Sequence, residues 1–255
     1  MKPSVISFLV LARKECHRVL RMWTQTVLPS VVTMTLYFLI FGHFVGRYIG
    51  AVGGMPFIEF LTPGLIMLAA ITCTYANTCT SLFMEKFQRS IETMLIAPIS
   101  HTAFLWGFLC GGLCRGLLVA VITSVIASFF TVLTFDHLFI FAFGLFFILL
   151  SLSLAGFING LFAKKWDDVA LVPTFVLTPL TYLGGVFYSM DQMSEFWRTV
   201  SLFNPIVYIV NIFRYGMIGY SSVNITVAFS VLIAVTVVLY AVAMSMLRSG
   251  YGLRE

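Results

Sequence analysis

Between Leu138 and Phe162 the chain reads LFIFAFGLFFILLSLSLAGFINGLF, without one ionisable side chain. Few folds accept such a run. In lipid a helix satisfies its own backbone polar groups, and at about 1.5 Å per residue this stretch is long enough to cross a hydrocarbon core of about 30 Å. Comparable runs recur at about 26–44, 60–83, 102–132, 169–188 and 226–247. Only 10% of the 255 residues are charged and 60% are hydrophobic, against about 25% charged in soluble domains. The sequence therefore reads as an all-α polytopic membrane protein whose loops are too short for a soluble domain. The net charge of +5 is spread thinly, which argues against nucleic acid and suits loops facing anionic headgroups.

One span differs from the others. From Val169 to Gly219 the chain is mostly apolar, yet Pro173, Pro179, Gly184, Gly185, Asn204 and Pro205 interrupt it. Proline removes a backbone donor and glycine weakens a helix. Broken backbone at membrane depth is tolerated where protein or a water-filled cavity covers it. The segment is thus expected to line a path or to pack on other helices; the plainer reading is two kinked spans.

Residues 1–24 lack the cleavage site of a signal peptide. As a helix they place Val5, Phe8, Leu9, Ala12, Cys16, Val19, Leu20 and Trp23 on one face and Lys14, His17, Arg18 and Arg21 on the other, the pattern of an interface helix. Pro29 and Pro63 fall near the starts of the first and second spans. Met84–His101 carries Glu85, Lys86, Arg89 and Glu92 beside Phe87, Ile91, Met94 and Leu95 at helical spacing. Glu85–Arg89 is an i,i+4 pair and Pro98 stops the run, so a short amphipathic helix or a solvated loop is expected. The 31-residue run to Val132 makes about 46 Å of helix. It contains Arg115, read as snorkelling to an interface, and two overlapping pairs, Gly107/Gly111 and Gly112/Gly116, that permit close helix packing, within the chain or across a dimer.

With six spans and both termini in the cytosol, eleven of the fifteen Lys and Arg residues lie inside, Lys2 and Arg254 included. Arg47, Arg198 and Arg214 lie outside and Arg115 lies in a span. The positive-inside rule favours that topology over a seventh span at Val200–Gly219. A re-entrant segment turning at Asn204-Pro205 then occupies 191–224.

Much chemistry is missing. No phosphate-cradling GxxxxGK[ST] occurs, and no nucleophile–base arrangement stands at a span end. Cys16, Cys73, Cys79, Cys110 and Cys114, with the four histidines, lack metal-site spacing. Glu59, Glu85, Glu92, Asp136, Asp167, Asp168, Asp191, Glu195 and Glu255 fall in loops, at span ends or in the tail, unlike the intramembrane acids of an ion-coupled carrier. Energy must come from elsewhere, through the N-terminal helix, Met84–His101 and Lys164–Asp168.

Three stretches carry a family likeness: Glu85-Lys86 through Glu92-Thr93-Met94-Leu95-Ile96-Ala97-Pro98; the Phe162–Asp168 loop with LVPTFVLTPLTYLGGVFYS; and Phe203-Asn204-Pro205 with Phe213-Arg214-Tyr215-Gly216. The whole chain resembles the permease subunit of ABC type-2 exporters. That resemblance implies an interface helix, six spans, a coupling helix between spans two and three and re-entrant helices before span six. It also implies a second copy of the chain and a soluble P-loop ATPase subunit that holds ATP and Mg²⁺, in a bacterial inner membrane, with no cofactor on the chain itself. Glu85, Lys86, Arg89 and Glu92, with Lys164 and Asp167, would meet the ATPase. Pro179, Gly184, Gly185 and Tyr188 would lie near an outer gate, and Asn204 and Pro205 at the re-entrant turn. A non-transporting scaffold and an ion-coupled carrier are the alternatives; the substrate is not readable beyond a drug-like, glycan or lipid amphipath.

Overall fold

The computed structural model describes residues 3–96 and 99–252. Helix α1 (Pro3–Arg21) is followed by α2 (Trp23–Tyr37), which continues through a π-helical stretch, Phe38–Val45, into α3 (Gly46–Ile49). A two-residue antiparallel hairpin, Ala51–Val52 with Met55–Pro56, turns the chain. Gly53 and Gly54 supply the positive φ angles that the turn needs. Then come α4 (Phe57–Phe87), α5 (Ser90–Ile96), α6 (His101–Ala127) and α7 (Leu138–Phe162). The fifth segment is continuous but broken in type: α8 (Trp166–Val172), a π-helical stretch Pro173–Leu177, and α9 (Thr178–Tyr182). Helices α10 (Glu195–Leu202), α11 (Pro205–Ile218) and α12 (Ile225–Ser249) complete the bundle.

Among the described residues five helices are long and apolar enough to cross a membrane: Trp23–Ile49, Phe57–Phe87, His101–Ala127, Leu138–Phe162 and Ile225–Ser249. The span read at 138–162 has those limits. The third ends at Ala127 rather than Val132, because residues 128–130 form a turn; its 27 residues make about 40 Å. The fifth ends at Tyr182 rather than Tyr188, since Gly184 and Gly185 follow in irregular backbone and Gly185 has φ +77°.

Helix α4 is the hub. It packs on α6 and α7 and also meets α11. In its most apolar window 72% of the residues are buried, against 17% for the first-span helix and for α12. The close approach of α4 and α7 rests on Gly156 and Gly160, where an added Cβ would lie 2.4 Å from the Tyr75 carbonyl oxygen and 3.0 Å from that of Cys79. Small residues one turn apart allow this. Both early prolines sit deeper than expected. Pro29 and Pro63 are helix-interior because α2 starts at Trp23 and α4 at Phe57.

The stripe of α1 that packs on the bundle is Leu11, Glu15 and Val19, while Val5, Leu9 and Leu20 are exposed on the surface of the chain. Glycines explain that stripe: a Cβ at Gly107 would lie 2.5 Å from Leu11 Cδ2, and one at Gly111 2.9 Å from Glu15 Cβ. The bare flank of α6 admits these two side chains and fixes which side of α1 turns inward.

Candidate functional site

The broken fifth segment has a specific cause. Pro173 cannot donate to the Val169 carbonyl one turn earlier. That oxygen instead accepts from Asn159 Nδ2 of α7 at 3.4 Å. The chain widens to π geometry over Pro173–Leu177, where the Thr178 hydroxyl donates to the Pro173 carbonyl at 2.9 Å. π-helical turns occur frequently at functional sites, and this chain has one on the first-span helix and one on the fifth segment.

Between those two helices and α4 lies a cleft of about 310 Å³, lined by residues that include Pro29, Ser30, Thr33, Tyr37, Thr72, Cys73, Pro173, Thr178 and Thr181. Apolar walls carrying scattered hydroxyls suit an amphipathic guest. Toward the hairpin end, four rings meet. Phe187 stands 4.9 Å from Phe41, 5.7 Å from Tyr182 and 6.1 Å from Tyr37, centroid to centroid. Tyr37 and Tyr182 also line the cleft, so this aromatic group forms its stopper.

Behind the stopper the Gly184-Gly185 turn is held from α11. Arg214, buried at 1% exposure, donates from Nη2 to the Gly185 carbonyl at 2.9 Å and stacks on Phe60. Asn204 caps α11 by accepting from Ile206 N at 2.9 Å, and its Nδ2 donates to the Leu180 carbonyl at 2.6 Å. Gly184 leaves room for Ile206: a Cβ there would lie 2.7 Å from Ile206 Cγ2. The predicted residues Gly184, Gly185, Asn204 and Pro205 are thus gathered between α9 and α11. Tyr188 lies half-buried in the same loop, and Pro179 is exposed on α9. The turn between α10 and α11 falls at Asn204. Arg214, placed outside the membrane by charge counting, is inside the protein.

Beyond the cleft, one turn along α4 from Cys73, sits a polar cluster around Asn77. Glu15 is fully buried. Its Oε2 accepts from Arg18 Nη2 at 2.9 Å and from the Ser81 hydroxyl at 2.7 Å. Asn77 Oδ1 accepts from Arg18 Nη2 at 3.3 Å and from Arg115 Nη1 at 3.5 Å. Arg18, read as part of the solvent face, is drawn inward by this carboxylate. Arg115 turns toward α4. Of the small-residue pairs, Gly107 and Gly111 face α1, while a Cβ at Gly112 would press on Thr78 and Ser153 and one at Gly116 on Thr74. All four glycines pack inside one chain.

The residues read as contacting a partner ATPase divide. Glu85 is not paired with Arg89: α4 ends at Phe87 and Arg89 adopts φ +56°. Glu85 bonds Lys14 of α1 at 2.6 Å instead. Lys86 turns inward, donating to the carbonyl oxygens of Leu161 at 2.8 Å and Ala163 at 2.9 Å, so its cation meets the C-terminal end of α7. Arg89, Glu92, Lys164 and Asp167 are exposed. Asp168 accepts from the Lys164 and Lys165 backbone N–H groups, which hold its carboxyl below the usual carboxylate range. Ile91 is buried, so α5 docks on its own chain. Pro98, Lys2 and Arg254 lie outside the described residues.

Three features escaped the sequence reading. Glu15 stands one turn from both Leu11 and Val19, a spacing that marks it as part of the packed stripe. Gly156 and Gly160 form a further GxxxG. Arg214 stood in a family-like stretch, but its burial and its partners, Phe60 and the Gly185 carbonyl, could be found only from its surroundings.

The chain is thus a bundle of apolar, membrane-length helices with a hydroxyl-bearing cleft beside a fractured segment. Residues 6–218 match the family model described as ABC-2 type transporter. Over 242 residues, 95% of this chain and 94% of the relative, the sequence is 46% identical to the inner membrane transport permease YadH of Escherichia coli K12. It is 23% identical over 234 residues to nodulation protein J of Rhizobium leguminosarum bv. viciae, covering 89% of each. The chain belongs to the ABC-2 type transporter family and is a multi-pass membrane transport permease.

Proposed function

We propose that this chain is the membrane-spanning half of an ATP-driven exporter in a bacterial inner membrane, working as a homodimer on a separate soluble P-loop ATPase. The observation that carries this reading is the cleft between the first-span helix, α4 and the fifth segment, bordered at one end by the Phe187 aromatic group. A second copy would complete its open side. That face belongs to the least covered helix of the bundle, together with α12. The sixth crossing is the fifth segment itself, α10–α11 is the re-entrant pair, and both termini face the cytosol. The exposed Arg89, Glu92, Lys164 and Asp167 form the docking surface, and Lys14–Glu85 ties α1 to it. ATP-driven closure of the ATPase would then push α1 and α5 and, through α4, repack the cleft.

The test is co-purification. A P-loop ATPase should accompany the permease from native membranes, and reconstituted vesicles should move substrate only with both subunits and ATP. Transport by the permease alone would overturn the reading. The ion-coupled alternative draws on one observation, the buried Glu15. Its Oε2 is bonded to Arg18 and Ser81, the arrangement of a counter-ion to Arg18. Charge reversal at Arg89 or Glu92 separates the exporter from a scaffold: the exporter loses coupling, the scaffold keeps its function.

A further inference from the structure

Beyond the cleft wall, on the α1 side of α4, a polar cluster holds more positive than negative charge. Cys73 lines the cleft, and Asn77 follows one turn later on the same face of α4. Arg18 and Arg115 converge on the Asn77 side-chain carbonyl oxygen. Against two guanidinium groups the cluster has one carboxylate, Glu15, bonded to Arg18 and Ser81. Among the described residues Arg115 forms no ion pair. Three buried donors, Arg18 Nε, Asn77 Nδ2 and Arg115 Nε, have no hydrogen-bond partner, against one such acceptor in the cluster, Glu15 Oε1. Buried donors and cations without acceptors are unfavourable. An oxyanion answers both deficits, and planar guanidinium groups suit its geometry.

We propose that Arg18, Asn77 and Arg115 form an oxyanion subsite beyond the cleft wall, on the α1 side of α4, and that the exported molecule is an amphipath whose phosphate- or carboxylate-bearing end rests there while its apolar part lies along the cleft. This rests on the reading of the cleft as the pathway. The same chemistry could be supplied by a phospholipid headgroup of the adjoining leaflet.

The experiment measures binding of dodecyl phosphate and of neutral dodecyl maltoside to the full chain in phosphatidylcholine nanodiscs. Dodecyl phosphate should bind at least tenfold more tightly. Arg115→Gln should abolish that preference, and Arg115→Lys should keep most of it. Glu15→Gln removes the counter-charge and should tighten dodecyl phosphate several-fold, a gain that a damaged fold would not give. Equal affinity for the two probes, or an undiminished preference in Arg115→Gln, overturns the proposal. Competition by phosphatidylglycerol placed in the disc assigns the site to a headgroup, and competition by inorganic phosphate assigns it to a free anionic end. Displacement by neither overturns it. Binding is read without ATP or an ATPase, so failure here leaves the exporter reading standing. An anion preference in a chain that never recruits an ATPase would do the reverse.

Discussion

Arg214 and Phe60 are stacked, with the guanidinium carbon 3.8 Å from the ring centroid. The ring belongs to the hub helix α4 and the cation to α11, and the same guanidinium bonds the Gly185 carbonyl. One side chain therefore pins three parts of the bundle: α4, α11 and the loop that follows the fifth segment. Removing it strips the stack and leaves a buried carbonyl without its donor. Arg214→Leu should cost about 3 kcal/mol of stability and Phe60→Leu about 1 kcal/mol, read as thermal unfolding in detergent. An Arg214→Leu variant as stable as the parent would refute the pinning role.

The Pro173–Asn159 pairing predicts a coupled effect. Asn159→Leu should destabilise by about 1–2 kcal/mol by leaving the Val169 carbonyl without a donor. In a Pro173→Ala background a backbone N–H is restored, and the same substitution should cost clearly less. A double-mutant cycle reads the difference; strict additivity would show that the two residues act independently.

Arg89 occupies left-handed backbone without being glycine, at a cost of about 1–2 kcal/mol. Arg89→Gly should raise stability by about 1 kcal/mol and yet weaken ATPase coupling, because the exposed cation is lost. The two readouts, melting temperature and transport-linked ATP hydrolysis, should move in opposite directions.

Gly156 tolerates no side chain. A Cβ there would lie 2.4 Å from the Tyr75 carbonyl oxygen, which cannot move aside without distorting α4. Gly156→Ala should cost about 1–3 kcal/mol as an overpacked helix contact. The same change at Gly250, where nothing lies within 4 Å, meets only the strain of its positive φ.

Phe187→Ala should loosen the stopper. Vesicles containing this variant should leak a small dye faster than those containing the parent chain, with little change in unfolding temperature. Unchanged leakage would mean that the rings do not seal the cleft.

Apolar run length made the bundle legible, since backbone in lipid has few options. Leu138–Phe162 could be delimited to the residue because polar His137 and Lys164 flank it. Helix ends governed by tertiary contacts could not. The turn at 128–130 and the irregular chain after Tyr182 follow no break in hydropathy. Proline positions correctly located the fractured span, because a missing donor is a local property. The stripe of α1 that turns inward, Leu11, Glu15 and Val19, was not legible for the opposite reason: it is decided by glycines on α6, about a hundred residues away. Glu85 and Lys86 were recognised as important charges, but their partners, Lys14 and the end of α7, are set by the fold.

The two π-helical stretches bear on how such a cleft can change shape. A wider turn holds one residue more than an α turn, so passing that surplus along the helix rotates the intervening side chains by about 100°. Tyr37 and Thr178 each adjoin such a stretch. The facing walls can therefore be re-dressed, hydroxyl for hydrocarbon, by a sliding dislocation that melts neither helix and leaves α4 in place.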